Sequence, residues 1–311
     1  MKTFVIVNAT ASAGRARRMW IQLKDQLAAI RSFDSAYTQR AGHAMELARD
    51  ASVAGYELVV AFGGDGTVHE TANGIMRGDA SRTVLGIIPA GSGNDIARTL
   101  GIPATPSQAS ELLREPRTRP MDLIRVGDRY CVGAGGVGFD GEVAALANRW
   151  PKYLPGPLTY VLGIVVTLAT FNPVDLELEL DGVMHRPRAF TAAVGNTQYY
   201  GSGMRICPLA ETDDGLVDVV IVGALSKIEV LRMVPSLFKG LHVLHPKVTS
   251  HKAREVVVRS KVPLSIQIDG ELVGKIPATF TNVPGALRVV AGTPLAPMDL
   301  KVAGDAVHRS G

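Results

Sequence analysis

The sequence predicts a parallel α/β domain followed by a β-rich domain. In the first half, continuous apolar strands alternate with helical segments, which is typical of parallel sheets buried on both faces. In the second half, strand segments follow one another, and the segment that begins at Val174 alternates apolar with acidic residues. The length of 311 residues suits two domains. We place residues 1–125 in the first domain and 126–289 in the second, with 290–311 as a segment that can rejoin the first.

The elements of the first half follow from the spacing of apolar residues. Short apolar runs predict strands, and apolar residues that recur every three or four positions predict helices. In chain order these are strand Phe4–Val7, helix Ala13–Ile30, strand Phe33–Thr38, helix His43–Val53, strand Leu58–Phe62, helix Val68–Met76 and strand Val84–Ile88. A glycine-rich loop follows each of the last two strands.

The elements of the second half are mostly strands. Val174–Leu180 alternates, and Asp181-Gly182 after it predicts a hairpin turn. Further predicted strands are Phe190–Gly195, Val217–Val222, Glu255–Val258, Leu264–Ile268 and Leu287–Ala291, with helices at Leu158–Phe171 and Lys227–Leu237. This pattern favours a β-sandwich.

Composition narrows the class of partner. The net charge of +4 fits an anionic partner, but an aromatic content of 5% gives little support for stacking against nucleic-acid bases.

Cys131 and Cys207 have no partner at metal-motif spacing, so we expect buried thiols in a reducing cytosol. The longest apolar stretch, Leu158–Phe171, is shorter than a membrane span. We therefore expect a cytoplasmic protein without a transmembrane segment.

The first glycine-rich loop, Gly63-Gly64-Asp65-Gly66-Thr67, lies between a buried strand and a helix. Glycines let backbone N–H groups approach a phosphate, and the positive end of the helix points to the same place. Asp65 is an anion in this loop, and a carboxylate beside phosphates implies Mg²⁺ between them. The alternative is a plain turn in which Asp65 caps the helix.

The second glycine-rich loop runs from Pro89 to Asp95 and also follows a buried strand. Loops at the carboxyl ends of two parallel strands converge on one crevice. Ser92 is a candidate phosphate donor, while Asn94 and Asp95 are candidates to cap the next helix.

Two other patterns carry weaker signals. Gly133–Gly138 fits a dinucleotide-binding glycine pattern, but the acidic residue expected about 20 positions later is missing. We interpret it as a glycine-rich bend. His242, His245 and His251 lack carboxylate or thiol partners at ligand spacing, which disfavours a metal site there.

An ordered set of motifs resembles the catalytic domain of the diacylglycerol kinase-like lipid kinases, a family that includes diacylglycerol, sphingosine and ceramide kinases and bacterial relatives. The set comprises Asn8 with Gly14, Thr38, Gly42-His43-Ala44, Gly63–Thr67 with Glu70 and Asn73-Gly74, Pro89–Arg98, Asp122, Asn196, Tyr200-Gly201, Pro208–Gly215 and Asp269-Gly270-Glu271. The resemblance covers about residues 4–291. It implies a Rossmann-like, three-layer α/β nucleotide domain, similar to phosphofructokinase and NAD kinase, and a C-terminal β-sandwich.

The resemblance also implies roles for individual residues. ATP would be bound by Asn8, Thr38, Gly63, Gly64, Asp65, Gly66, Thr67, Glu70, Gly91, Ser92 and Asn94. Asp65, Asp95 and Asp122 would hold the catalytic Mg²⁺ as a carboxylate network, partly through water. Glu271 would be the general base. A structural Mg²⁺ would lie near Glu211, Asp214 and Leu216, the last through its backbone carbonyl.

Physical chemistry agrees with the role of Glu271, since an alcohol that attacks the γ-phosphoryl group must lose its proton. Taken alone, Asp269-Gly270 is more simply a hairpin turn with Glu271 as a strand-edge charge. The first loop departs from the family pattern, because Ala9 and Ser12 stand where proline and glycine are usual.

The sequence favours an ATP- and Mg²⁺-dependent kinase that acts on a hydroxyl group of a membrane lipid. Basic residues between Lys239 and Lys261 are either a solvated face or a contact with an anionic membrane surface. A soluble-acceptor kinase, of the NAD kinase or sugar kinase type, and a non-catalytic nucleotide- or lipid-binding regulator are the alternatives. The resemblance is compatible with a homodimer. It is also compatible with a protein that binds at the inner face of the membrane.

Overall fold

The structure, a computed structural model, describes residues 1–149, 156–293 and 295–299. The described residues of Met1–Leu123 and Val283–Leu295 form its first unit, and those of Ile124–Asn282 with residues 296–299 form its second. The predicted domain limits at residues 125 and 289 stay predictions, and much of the predicted 290–311 segment lies outside the described residues.

The first unit is built on a parallel sheet. Its strands are β1 (Thr3–Val7), β2 (Asp34–Tyr37), β3 (Leu58–Gly63), β4 (Val84–Pro89) and the final part of β16 (Ala278–Val290). They lie in the order β2, β1, β3, β4, β16, and all neighbours are parallel. Every residue of β3 and β4 is buried, as their continuous apolar sequences require. The predicted parallel α/β domain is confirmed.

Helices accompany this sheet. They are α1 (Arg15–Ile30), α2 (His43–Val53), α3 (Asp65–Met76), α4 (Asp95–Thr99) and α5 (Pro106–Glu111). The apolar stripe of α1 buries Trp20, Leu23 and Leu27, and Trp20 packs edge-on against Phe62 of β3 with ring centres 5.3 Å apart. The chain passes from β1 to β2 on one side and later adds β3 on the other, which creates a topological switch point beside β1.

The second unit contains two antiparallel sheets. The strands are β5 (Thr118–Val126, which begins in the first unit), β6 (Arg129–Cys131), β7 (Ala134–Gly138), β8 (Val174–Leu180), β9 (Val183–His185), β10 (Arg188–Gly195), β11 (Val217–Gly223), β12 (Val248–Ala253), β13 (Glu255–Ser260), β14 (Ser265–Ile268), β15 (Glu271–Lys275) and the start of β16. One sheet has the order β15, β14, β7, β10, β11, β12. The other contains β9, β8, β13 and β16.

A core fills the space between these sheets, with Leu178, Val256 and Phe280 from one sheet and Val137 and Ile221 from the other. The predicted β-sandwich is therefore confirmed. A second core lies on the other face of the first sheet, beneath helices α6 (Phe139–Arg149), α7 (Gly156–Thr170) and α8 (Lys227–Lys239). No helix in the described part of the chain is both long and apolar enough to cross a bilayer.

Several local predictions can be checked against this unit. Asp181 and Gly182 both have positive φ, as a type I′ hairpin between β8 and β9 requires, so that prediction is confirmed. Cys131 and Cys207 are buried free thiols, as expected. The interpretation of Gly133–Gly138 as a bend was wrong, because most of it forms β7 between β14 and β10. Glycine is needed there because a Cβ at Gly135 would lie 2.8 Å from the carbonyl oxygen of Gln267.

Candidate active site

The carboxyl ends of the parallel strands in the first unit bring the predicted nucleotide residues together. Asn8 follows β1, and its Nδ2 donates to Thr67 Oγ1 at the start of α3 over 2.9 Å. Thr38 follows β2, and its backbone N–H donates to the carbonyl of Val7 over 3.0 Å. The first loop and the Gly63–Thr67 loop are therefore joined by a side-chain hydrogen bond.

The two glycine-rich loops touch through their backbones. A Cβ at Gly64 would lie only 3.1 Å from Gly91 Cα, and a Cβ at Gly91 would overlap Gly64 Cα. Asn94 closes the second loop, since its Oδ1 accepts from Gly91 N and its Nδ2 donates to Gly91 O, both over 3.0 Å. Only glycine fits where the two loops meet.

We expect Gly91→Ala to force these loops apart, because both the Gly64 backbone and Asn94 Oδ1 would meet the new methyl group. ATP affinity should fall about tenfold or more, and the unfolding free energy by about 1–3 kcal/mol. Titration calorimetry and urea unfolding measure the two effects. Gly127→Ala is the control. Gly127 lies in the second unit with a φ of 60°, so an alanine there strains the backbone, but its methyl group meets no neighbouring atom. Unchanged ATP affinity in Gly91→Ala would contradict the importance of this contact.

Asp65 connects the Gly63–Thr67 loop to α4. Its Oδ1 accepts from Ile96 N over 3.1 Å, so the Asp65 carboxylate caps α4 rather than its own helix. Asn94 occupies the N-cap position of α4, but its side chain bonds to Gly91 instead of the helix, so the expected side-chain cap from Asn94 was wrong. A cap from Asp95 stays a prediction. The bond to Ile96 N places the Asp65 carboxylate at the start of α4.

Glu70 holds a neighbouring helix in place. Its Oε1 accepts from Gly42 N over 2.8 Å and its Oε2 from Ala44 N over 3.0 Å, at the start of α2. Carboxylates at a helix N-terminus satisfy N–H groups that have no partner within the helix. Sequence reasoning assigned Glu70 to the ATP-binding set, and these bonds give it a positioning role beside that set.

Ser12, an unusual residue of the first loop, has a contact that sequence reasoning missed. Its Oγ donates to the carbonyl oxygen of Ala90 over 2.8 Å. Ser12 and Ala13 both have positive φ. Ser12 therefore joins the loop after β1 to the second glycine-rich loop.

Two further predicted carboxylates are almost fully buried in the first unit. Asp95 accepts from Arg98 Nη1 over 3.2 Å, and Asp122 Oδ1 accepts from Gly285 N over 2.7 Å. Within the described ranges, no three His, Cys, Asp or Glu side chains could hold a metal ion by themselves. Mg²⁺ at a phosphate usually takes one or two carboxylates and completes its shell with phosphate and water oxygens. Asp65, whose carboxylate reaches the start of α4, is one candidate for that role, and Asp95, which is buried and pairs with Arg98, is the other.

Glu271 lies in the second unit, at the first position of β15. Asp269 and Gly270 both have positive φ and form the turn between β14 and β15. The Asp269 carboxylate accepts from Val132 N and Gly133 N, both over 2.7 Å, which anchors the turn. The Glu271 side chain is 40% exposed, with Oε2 3.7 Å from Arg129 Nη1. Glu271 is thus accessible and held by a fixed turn.

The predicted structural metal site contains a lysine. Lys252 Nζ lies 2.6 Å from Asp214 Oδ2, 3.4 Å from Glu211 Oε1 and 3.9 Å from Asp218 Oδ2. Leu216 donates its N–H to Asp214 Oδ1 over 3.0 Å. The ammonium group occupies the position in which a cation would bind, so these residues as arranged do not fit a metal ion. A metal at this site stays a prediction.

The basic stretch from Lys239 to Lys261 is partly neutralised. Besides Lys252, Lys247 pairs with Glu229 over 2.9 Å, and Arg259 pairs with Glu179 over 3.0 Å. These ion pairs favour the interpretation of the basic stretch as a solvated face of the second unit.

Comparisons with known proteins agree with this geometry. The model of the diacylglycerol kinase catalytic domain matches residues 2–126, and the model of the YegS C-terminal NAD kinase beta sandwich-like domain matches residues 133–291. A diacylglycerol kinase of Mycobacterium tuberculosis is 34% identical over 256 residues, which cover 79% of this chain and 81% of the relative. One of Staphylococcus aureus is 30% identical over 291 residues, which cover 92% and 91%.

Solved structures show the same fold. The crystal structure of a diacylglycerol kinase from Bacillus anthracis matches with a TM-score of 0.73 and 20% identity, over 94% of this chain and 97% of that one. Another from the same organism matches with a TM-score of 0.79 and 24% identity, over 94% and 98%. Two family models and relatives at 30% identity or more along most of the chain lead to one conclusion: the chain belongs to the diacylglycerol kinase family.

Proposed function

We propose that this protein transfers the γ-phosphoryl group of ATP, with Mg²⁺, to a hydroxyl group of a membrane lipid related to diacylglycerol. Membership of a kinase family implies the use of ATP. The observation that carries the proposal is the close contact of Gly64 with Gly91, beside which the Asp65 carboxylate bonds to the backbone at the start of α4. Backbone amides and the start of α3 suit phosphate groups, and the carboxylates suit a cation bound to those groups.

The chain's residues divide the chemistry between them. The loops around Gly64 and Gly91 would bind and orient the triphosphate. Bound Mg²⁺ would neutralise charge on the phosphates. Glu271 would accept the proton of the attacking hydroxyl group, and its turn, anchored by Asp269, would keep the carboxylate oriented.

A competition among acceptors tests this proposal. Purified protein with ATP and Mg²⁺ would receive NAD, a sugar phosphate and dioleoylglycerol in mixed micelles, separately and together. Phosphorylation of the lipid alone supports the proposal. Transfer to NAD or to the sugar phosphate would support a soluble-acceptor kinase, and nucleotide binding without any transfer would support a regulator.

A position at the cytoplasmic membrane surface stays a prediction, and two helices of the second unit support it. Apolar side chains that are 37–63% exposed occur on α7 and α8, namely Leu162, Val165, Val166, Ile228 and Leu231. Exposed apolar groups of this kind suit contact with a lipid surface.

A further inference from the structure

A buried glutamine lies next to the turn that precedes the predicted base. Gln267 belongs to β14 and is only 1% exposed. Its neighbours Ile266 and Ile268 belong to the core between the two sheets of the second unit. Successive side chains of a strand point to opposite faces of the sheet, so the side chain of Gln267 points away from that core. The motif that contains Glu271 begins two residues after Gln267 and gives it no role.

The hydrogen bond of this buried side chain goes to the turn. Gln267 Oε1 accepts from Gly270 N over 2.9 Å, and Glu271 is the next residue. Gln267 Nε2, by contrast, has no hydrogen-bond partner in the part of the chain that the structure describes. A buried amide with one end unsatisfied lowers stability, and natural sequences keep such exceptions mostly at functional sites. The end that is satisfied indicates that the function of Gln267 lies at the turn.

The turn needs such support because both of its residues have positive φ, 49° for Asp269 and 85° for Gly270. Glycine adopts this conformation freely, whereas an aspartate adopts it only at a cost. The Asp269 carboxylate is held by Val132 N and Gly133 N, both over 2.7 Å. Gln267 is the corresponding anchor of Gly270. Each of the two turn residues is therefore tied to a neighbouring segment by hydrogen bonds of its own.

The strand ladder around Glu271 is short, which makes the turn important for its orientation. β15 lies at the edge of its sheet, as far as the structure describes it, with β14 as its neighbour. The register of the two strands shifts just before Gln267. Two residue pairs lie between this bulge and the turn, Gln267 with Leu272 and Ile268 with Glu271. Because a bulge disrupts the ladder and bends the strand, a bond that fixes the turn also fixes the position of Glu271.

We propose that Gln267 is a positioning residue for phosphoryl transfer. Through Gly270 N it keeps the turn, and with it the Glu271 carboxylate, in the orientation that accepts the proton of the attacking hydroxyl group. The inference rests on the proposed kinase function. A displacement of about 1 Å near a reaction centre lowers a rate by as much as about 100-fold, so a bond one residue from the base affects kcat. The glycine-rich loops that would bind ATP belong to the first unit and Gln267 to the second, so KM for ATP does not depend on this bond.

Two substitutions at position 267 test the bond. Gln267→Met removes the acceptor but keeps nearly the length of the side chain, so kcat should fall about tenfold or more while KM for ATP stays unchanged. Gln267→Glu keeps a side-chain oxygen for Gly270 N, so kcat should stay within about threefold of the wild type. Initial rates with ATP, Mg²⁺ and dioleoylglycerol in mixed micelles measure both effects. A wild-type kcat in Gln267→Met, or equal losses in the two variants, would overturn the proposal.

Loosening a different hairpin separates positioning from stability. Asp181 lies in the turn between β8 and β9, and its Oδ1 accepts from Arg254 N over 3.0 Å and from Glu255 N over 2.8 Å. Asp181→Ala removes these bonds, so the urea midpoint of unfolding should fall, as it should in Gln267→Met. The kcat of Asp181→Ala should nevertheless equal that of the wild type. An equal loss of kcat in both variants would mean that lower stability explains the effect and that Gln267 does not position the base.

The remaining outcomes keep this inference separate from the proposed function. Amide hydrogen exchange of Gly270, followed by nuclear magnetic resonance, should be about tenfold faster in Gln267→Met than in the wild type, and an unchanged rate would show that the bond does not hold the turn. If the wild type transfers phosphate and Gln267→Met keeps its kcat, the positioning role fails and the kinase function stands. If the wild type phosphorylates no acceptor, the function fails, and the positioning role fails with it. If circular dichroism shows that Gln267→Met does not fold, Gln267→Val, which suits a strand and lacks an acceptor, replaces it.

Discussion

Glu271→Gln should lower phosphoryl transfer about 100-fold or more while ATP binds with unchanged affinity. Glutamine keeps the size and polarity of the side chain but cannot take up the proton of the attacking hydroxyl group. The turn before it should persist, because the Asp269 carboxylate and Gly270 fix it independently of residue 271. Initial rates with a lipid acceptor and titration calorimetry with ATP measure the two quantities.

Glu177→Gln is the matched control for this variant, since Glu177 is an exposed glutamate of β8 in the same unit. It should retain wild-type transfer. A Glu271→Gln protein with near-wild-type rates would show that another group, or water, accepts the proton.

Replacement of Asp65 should have an effect of similar size, for a different reason. Asp65→Asn can still accept a hydrogen bond from Ile96 N but loses the negative charge, so transfer should fall about 100-fold or more and need higher Mg²⁺ concentrations. Asp65→Ala loses the hydrogen bond too, and its unfolding free energy should fall by about a further 1 kcal/mol. Rates across a Mg²⁺ titration, with urea unfolding, separate charge from structure.

Asp50→Asn serves as the control, because Asp50 is an exposed aspartate of α2 that bonds to its neighbour Arg49. A wild-type Mg²⁺ dependence in Asp65→Asn would mean that Asp65 only caps α4.

The parts of the fold that the sequence predicts well are those whose local pattern has one explanation. Leu58–Phe62 and Val84–Ile88 are uninterrupted apolar runs, which only strands buried on both faces satisfy. Asp181-Gly182 follows an alternating strand and forms the expected hairpin. The last strand was predicted at Leu287–Ala291, yet β16 begins at Ala278 and continues through Pro284 and Gly285, two residue types that usually weaken or interrupt a strand.

The candidate site was predictable in its residues and less so in its contacts. The motifs located Asn8, Gly64 and Gly91, and the structure brings their loops together. The capping of α4 by Asp65 depends on the packing of two loops about 30 residues apart, which no local spacing encodes. Lys252 was one member of a basic stretch, and only the pairing of β11 with β12 places it among acidic side chains.

The most direct test of the central claim is transfer of labelled γ-phosphate from ATP, with Mg²⁺, into a total lipid extract in mixed micelles. Wild-type protein and Glu271→Gln would be assayed side by side. We expect label in the organic phase with the wild type alone, in a product whose mobility identifies the acceptor. Bound ATP without label in any lipid would contradict the assignment as a lipid kinase.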